Sequence, residues 1–207
     1  MSQKTQLSGL VVVGIFVLAA VPSAVLAQAH ETYSGSGDDL VDLSKPDEGL
    51  PALLVVQGNA AGGHFAVVAR DKDGGRIGTL VLTTEPYTGL VPVDLPPTTT
   101  TTLLEISASE NWQIQVYSIG SSPTVDVPGM FEGDSDSVLW MTGEASRATI
   151  QGNPDGSHFA VVAYDGRGAR LGAIVNTTDL YSGTVLVPRG TLLLEVTAVG
   201  SWQVEVR

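Results

Sequence analysis

The six residues HFAVVA at 64–69 return unchanged at 158–163. At that offset of 94, residues 64–93 and 158–187 are identical at 17 of 30 positions. The shared positions include Asp71/Asp165, Gly74/Gly168, Arg76/Arg170, Tyr87/Tyr181 and Gly89/Gly183. Further on, residues 103–116 match 193–206 at an offset of 90, with seven of 14 identical, among them Glu105/Glu195 and Trp112-Gln113/Trp202-Gln203. The change of offset gives the first copy four extra residues, around Pro96-Pro97 and the threonines at 98–102, where the second has only Pro188-Arg189-Gly190. A chain that repeats itself over this span folds as two copies of one unit.

Upstream of these blocks the copies are alike only loosely. Gly37-Asp38-Asp39-Leu40-Val41 resembles Asp134-Ser135-Asp136-Ser137-Val138. The units therefore run over 34–117 and 130–207, and 118–129, rich in Gly, Ser and Pro, reads as a linker.

Within each unit the apolar residues alternate. Phe65, Val67 and Ala69 share one face, as do Leu104 and Ile106, and Trp112, Ile114 and Val116. Asp71-Lys72-Asp73-Gly74-Gly75 and Asp165-Gly166-Arg167-Gly168 are turn signals, each between two strands of a hairpin. No apolar period of 3.6 follows the N-terminal segment. About seven short strands per unit are expected, folded as an antiparallel sandwich, because two half-polar sheets must bury their apolar faces on each other. The predicted fold is all-β: two tandem antiparallel β-sandwiches, Ig-like or jelly-roll-like, after an N-terminal signal helix. A unit of about 80 residues is small but sufficient to fold alone.

The strings HFAVVA, VNTTDLYSGTV and LLLEVTAVGSWQVEV, with GDDLV upstream, resemble a tandem β-sandwich repeat found in exported bacterial and archaeal proteins. That resemblance implies the same fold and an exported location. The repeat has no established activity, so it assigns no functional residue. The first copy departs from the pattern at Leu82, where the second has Asn176, and in its threonine-rich loop.

The N-terminus points to export as well. Lys4 precedes the unbroken apolar stretch at 10–20, Pro22-Ser23 breaks it, and small residues follow. Both Val25-Leu26-Ala27 and Ala27-Gln28-Ala29 fit the small-x-small cleavage rule. Residues 1–29 are read as a signal peptide and the mature protein as secreted or held at the cell surface. An uncleaved membrane anchor is the alternative, since a span needs about 20 apolar residues.

Ten Lys and Arg against 22 Asp and Glu give a net charge of −12. Phosphate binding needs clustered cations, so nucleic acid is not an expected partner, nor is a membrane beyond the signal segment. The chain has no cysteine, which removes disulfides and thiolate zinc sites. Asn176-Thr177-Thr178 is a glycosylation sequon where the host uses such sites.

Candidate chemistry is sparse. His64 and His158 open equivalent strands, one per unit, whereas a metal needs converging ligands. Cleavage after Ala29 would leave His30 as a free amino-terminal copper ligand. Asp38, Asp39, Asp134 and Asp136, with Glu132, lie in Gly/Ser-rich segments that offer oxygens to calcium but form no complete calcium loop. Trp112 and Trp202 are candidate sugar platforms, although their alternation with apolar neighbours places them in a core. Tyr87 and Tyr181 are either corner tyrosines bonded to backbone or ligand contacts. Glu105 and Glu195 face outward, with no second carboxylate of their own unit to make a hydrolytic pair. Duplication of structural positions suits contact better than catalysis. The expected function is non-catalytic: an exported surface or secreted protein in a structural or envelope-interaction role, with no cofactor. A carbohydrate- or calcium-dependent binding module is the alternative and a copper protein the third reading. The expected partners are an envelope or extracellular protein, or a polysaccharide.

Overall fold

The computed structural model describes residues 28–207; residues 1–27, and with them the signal segment, lie outside the described residues. The described chain is all-β, with one single-turn 3-10 helix at Ile119–Ser121. No helix among the described residues is long and apolar enough to cross a membrane.

The first half contains β1 (Glu31–Ser36), β2 (Asp39–Asp42), β3 (Ala52–Gly58), β4 (Phe65–Arg70), β5 (Arg76–Thr83), β6 (Tyr87–Val93), β7 (Leu103–Ala108) and β8 (Asn111–Ser118). After the short β9 (Thr124–Val125) the second half repeats the series as β10 (Gly129–Gly133), β11 (Ser137–Met141), β12 (Arg147–Gly152), β13 (Phe159–Asp165), β14 (Arg170–Thr177), β15 (Tyr181–Leu186), β16 (Thr191–Thr197) and β17 (Trp202–Val206). Eight strands per half replace the seven expected. The extra one is the short opening pair, β1 with β2 and β10 with β11, which turns at Gly37-Asp38 and at Asp134–Asp136 instead of running as one strand.

Both halves have the same strand order. Sheets β1-β8-β3-β6 and β2-β7-β4-β5 make the first, β10-β17-β12-β15 and β14-β13-β16-β11-β9 the second. The pairing is antiparallel except that β9 runs parallel to β11, Thr124 beside Trp140 and Val125 beside Met141. Part of the segment read as a linker is thus hydrogen-bonded into the second half.

The alternating residues bury as expected. Leu54, Val56, Phe65, Val67, Leu104, Ile106, Trp112, Ile114 and Val116 form one core, drawn from both sheets of the first half. Ile150, Phe159, Val161, Leu194, Val196, Trp202, Val204 and Val206 belong to the equivalent core of the second. The turn aspartates act as the sequence implies: Asp71 Oδ1 accepts from the amides of Asp73 (2.9 Å) and Gly75 (2.7 Å), and Asp165 Oδ1 from those of Arg167 (2.8 Å) and Ala169 (2.9 Å).

Some equivalences escaped the sequence comparison. Trp112 Nε1 donates to Gly37 O (3.0 Å) and Trp202 Nε1 to Ser135 O (2.8 Å). Asp38 Oδ1 accepts from Ala108 N (2.9 Å) as Asp136 Oδ1 does from Ala198 N (2.8 Å). Asp38 therefore corresponds to Asp136, one residue away from the alignment expected for the opening strands. Gln57-Gly58-Asn59 also returns as Gln151-Gly152-Asn153. Both asparagines have positive φ (61° and 64°) and are buried. The Asn59 carboxamide donates to the carbonyls of Gly63 (2.8 Å) and Glu85 (3.0 Å), and that of Asn153 to Ser157 (2.6 Å) and Asp179 (2.9 Å). Each pins the turn before the HFAVVA strand to the loop that leads into the tyrosine strand.

Candidate binding surfaces at the joint between the halves

A third apolar cluster belongs to neither core. Leu53, Val55, Leu90 and Tyr117 of the first half are buried against Val138, Tyr164 and Leu193 of the second, with Leu95, Ile119, Trp140 and Val162 packed around them. Leu53 and Val55 lie on the outer face of β3, opposite Leu54 and Val56, so this strand is apolar on both faces. A Leu or Val side chain taken from water into such a cluster contributes about 1.5–3 kcal/mol.

The counterparts of these residues are mostly polar. In the second half Leu53, Val55, Leu90 and Tyr117 become Arg147, Thr149, Thr184 and Arg207. In the first half Tyr164 and Trp140 become Arg70 and Asp42, and Val138 becomes Leu40, which is 58% exposed. Each copy is more apolar on the face that meets the other than on the equivalent free face, as expected for terminal units of a repeat array, although Leu40 and Leu82 stay exposed on the free face of the first half.

The polar groups of the joint differ between copies in the same way. Tyr87 Oη donates to Asp136 Oδ2 at 2.6 Å, and Leu90 N to Asp136 O at 2.9 Å. Burial pushes the Asp136 carboxyl above the usual carboxylate range, against the lowering effects of Tyr87, the Ala198 amide and His158. Burial likewise raises the Tyr87 phenol, and the Asp136 charge and hydrogen bond add to it. Behind this pair Tyr164 Oη donates to Glu195 Oε2 at 2.5 Å. Burial raises the Glu195 carboxyl and the Tyr164 phenol. At the same positions the first half has an ion pair, Arg70 Nε to Glu105 Oε2 at 2.7 Å. A phenol meets a carboxylate without the desolvation cost of a guanidinium, which is the cheaper arrangement in a covered joint.

The four extra residues of the first copy serve the same contact. Asp94 holds their loop by bonds from Lys45 Nζ, Thr101 N (2.9 Å) and Thr101 Oγ1 (2.6 Å). Leu95 and Pro97 then rest on the hairpin turn of the second half. A Cβ on Gly168 would lie 2.8 Å from Leu95 Cδ1 and 3.3 Å from Pro97 Cδ, whereas a Cβ on the equivalent Gly74 would meet nothing within 4 Å.

Beside the joint a cleft of ≈ 1140 Å³ opens between the halves, lined by Gln57, Tyr87, Trp112 and Gln113 from the first and Asp136 and His158 from the second. A hollow of ≈ 490 Å³ lies on the second half alone, lined by Gln151, Tyr181, Ser182, Trp202 and Gln203 among others. Every residue of the hollow has its repeat counterpart in the lining of the cleft. The two are one surface occurring twice, roofed in the first half by the second and open in the second.

The candidates named from sequence distribute as follows. Trp112 and Trp202 are each 3% exposed, buried in the cores beneath these surfaces. Tyr87 and Tyr181 are half-buried, tilted against Phe65 and Phe159 at 6.4 Å between ring centroids. Tyr87 bonds a carboxylate of the other half, not the backbone of a corner. His30 is exposed, with Nε2 3.2 Å from Ser44 Oγ. His64 is exposed, and His158 Nε2 lies 3.1 Å from Asn176 Oδ1. Asp38 bonds Ser107 and Ala108, Asp39 the amide of Leu40, Asp134 stands exposed at the cleft rim, and Asp136 is in the joint. No three His, Asp or Glu side chains gather into a metal-binding group among the described residues.

No family model matches the chain, and no curated protein does. Among solved structures, the exported protein XepA of PBSX aligns over 86% of this chain and 82% of its own, at 11% identity and a TM-score of 0.28. The tandem CBM51 modules of Sp3GH98, a family 98 glycoside hydrolase from Streptococcus pneumoniae, align over 83% and 81%, at 9% identity and a TM-score of 0.27. The conserved protein PA5104 from Pseudomonas aeruginosa aligns over 84% and 77%, at 12% identity and a TM-score of 0.23.

Proposed function

We propose that the protein is an exported, non-catalytic contact protein: two jelly-roll sandwiches held side by side that present a fixed surface to an extracellular or envelope partner. The strand orders, with first and last strands adjacent in one sheet and second and seventh in the other, follow the eight-stranded double Greek key. The observation that carries the reading is the exchange of Leu53, Val55, Leu90 and Tyr117 for Arg147, Thr149, Thr184 and Arg207, which commits one face of each copy to the other. Flexibly tethered copies would not need that difference. The buried ionisable groups support the same reading. Asp136 accepts a hydrogen bond that joins the halves, Asp94 fixes the loop that rests on the second half, and Glu195 accepts from Tyr164 on the neighbouring strand of its own half. The apolar stretch at 10–20 and the cleavage-like residues after it support export. The net charge of −12 favours a protein or polysaccharide partner over nucleic acid.

The test is retention. Immobilised mature chain is incubated with extracellular polysaccharide and envelope-protein fractions of the source cells, and the bound material is analysed before and after prolonged contact. Retention that free mature chain competes away, of material unchanged in mass, is the expected result. Shortened or chemically altered material would make the protein an enzyme and overturn the reading.

A further inference from the structure

We propose that the cleft and the hollow are two copies of one binding site, and that each takes a stretch of a neutral polysaccharide. This rests on the contact reading above and names its ligand class. The site is built across the outer face of the first sheet of each half. In the first half Ser34, Gln113, Gln57 and Thr88 stand side by side in register on β1, β8, β3 and β6. In the second half Glu132, Gln203, Gln151 and Ser182 make the same row on β10, β17, β12 and β15. Strand alternation points these side chains away from the core, while Gly35, Trp112, Gly58 and Tyr87 of the next row turn inward. The result is a line of carboxamides and hydroxyls crossing four strands, about 15 Å at the usual strand spacing. Glycine, Tyr and Trp of the next row lie beside it.

Retention between the copies marks this row. Its two glutamines are the same in both halves, although Gln113 and Gln151 are exposed. The polar outer-face positions around them have changed: Gln115 to Glu205, and in the row itself Ser34 to Glu132 and Thr88 to Ser182. Exposed positions that carry no packing are the ones expected to drift, so the unchanged pair has a role outside the fold. The chemistry of the row selects the ligand. A carboxamide both donates and accepts, as a sugar hydroxyl does. Gln203 Nε2 spends its bond on the weak acceptor Met130 Sδ, at 2.9 Å. Neither lining contains a Lys or Arg, while Glu132 borders the hollow and Glu85, Glu110, Asp134 and Asp136 the cleft. A phosphate, sulfate or uronate chain would meet these carboxylates with no Lys or Arg to offset them. A row that crosses four strands suits a stretch of a linear polymer, laid on an open face in the second half and along the cleft in the first, and two such sites on one chain add avidity.

The experiment uses the mature chain in affinity electrophoresis against neutral polysaccharides (hydroxyethylcellulose, a mixed-linkage β-glucan, galactomannan, xylan), with polygalacturonate as the anionic control. Calorimetry with an oligosaccharide of the retarding polymer follows. Retardation by a neutral polymer and not by polygalacturonate is expected, with two sites per chain. Gln57→Ala/Gln113→Ala and Gln151→Ala/Gln203→Ala each reduce the stoichiometry to one and lower affinity for the polymer about tenfold or more; the fourfold variant abolishes binding with its melting temperature unchanged. Retardation by polygalacturonate, or by none of the neutral polymers, overturns the ligand class. A stoichiometry of one, or full binding by the fourfold variant, overturns the site. In either case captured envelope protein would leave the contact reading standing.

Discussion

Tyr87 and Asp136 lie 49 positions apart in different copies of the repeat, and the phenol of one donates to the carboxylate of the other at 2.6 Å. Neither residue is unusual within its own copy, since each has a counterpart, Tyr181 and Asp38. What the counterparts lack is this side-chain bond across the joint. Tyr87→Phe leaves the Tyr87 ring on Phe65 but removes the hydroxyl from a half-buried carboxylate. The expected loss of stability is about 1–3 kcal/mol, the cost of stranding a buried charged acceptor. Tyr181→Phe keeps the same ring packing on Phe159 with no second carboxylate to strand, and should change stability by less than about 0.5 kcal/mol. Urea unfolding of both variants makes the comparison.

The joint also gives the protein a distinct pH response. Burial holds the Asp136 and Glu195 carboxyls above their ordinary range in the folded chain. The native state therefore binds more protons than the unfolded chain between the ordinary carboxylate pKa, about 4, and the raised native values. The contribution of these two groups is fully present below that window and is lost as pH rises through it. Replacing both, as Asp136→Asn with Glu195→Gln, removes the term. The wild type should gain on the variant as pH falls from about 7 to about 4, and urea midpoints at several pH values check this. At the alkaline end the sign is the same. The Tyr87 and Tyr164 phenols are raised, so their share of the stability is intact below about pH 10 and lost above it. Absorbance at alkaline pH should show these two ionising only together with unfolding.

Gly168 and Gly74 separate the joint from the turn. Both have φ near +80°, so Ala at either position meets the same backbone strain, about 1–2 kcal/mol. Only at Gly168 does the new methyl strike Leu95 and Pro97. Gly168→Ala is expected to cost about 1–3 kcal/mol more than Gly74→Ala, the usual range for overpacking. Equal costs would mean that the loop at 95–97 does not bear on the second half.

Much of this architecture is legible in the sequence, and the remainder is hidden for identifiable reasons. Alternation of Phe65, Val67 and Ala69 with their neighbours gives strands, and Asp71 and Asp165 give the turns, because both signals are local. The joint is not local, yet it leaves a trace in the comparison of copies. Residues 52–56 of the first copy are uniformly apolar where Ala148-Thr149-Ile150 of the second alternates, the mark of a strand buried on both faces rather than one. The eighth strand does not stand out in the sequence because β1 and β2 are divided only by Gly37 and Asp38, a break too short to register as a turn. Tyr87 reads as a corner tyrosine because its partner comes from the other copy, and no spacing within one unit encodes that. The duplicated row of glutamines is invisible to periodicity, since an exposed polar residue on a strand is the default; register and repetition together single it out.

Leu53 offers the most direct test of the paired arrangement. It is fully buried on the outer face of β3, while Arg147 fills the same position on β12 in water. Leu53→Arg puts into the joint the residue that the other copy carries there. The charge would be uncompensated among Val138, Tyr164 and Leu193, at a cost of about 3–5 kcal/mol unless the halves separate. Separation is the cheaper outcome, because each half keeps its own core. Leu53→Arg should therefore expose the amides of β6 and β11 to hydrogen exchange while β4 and β13 stay protected, and enlarge the radius seen by solution scattering. Leu53→Ala, with no charge, should cost about 2–5 kcal/mol and leave the radius unchanged. Arg147→Leu, on the free face, should shift stability by less than about 0.5 kcal/mol. If Leu53→Arg left both protection and radius as in the wild type, the halves would not be held by this face, and the fixed cleft between them would lose its physical basis.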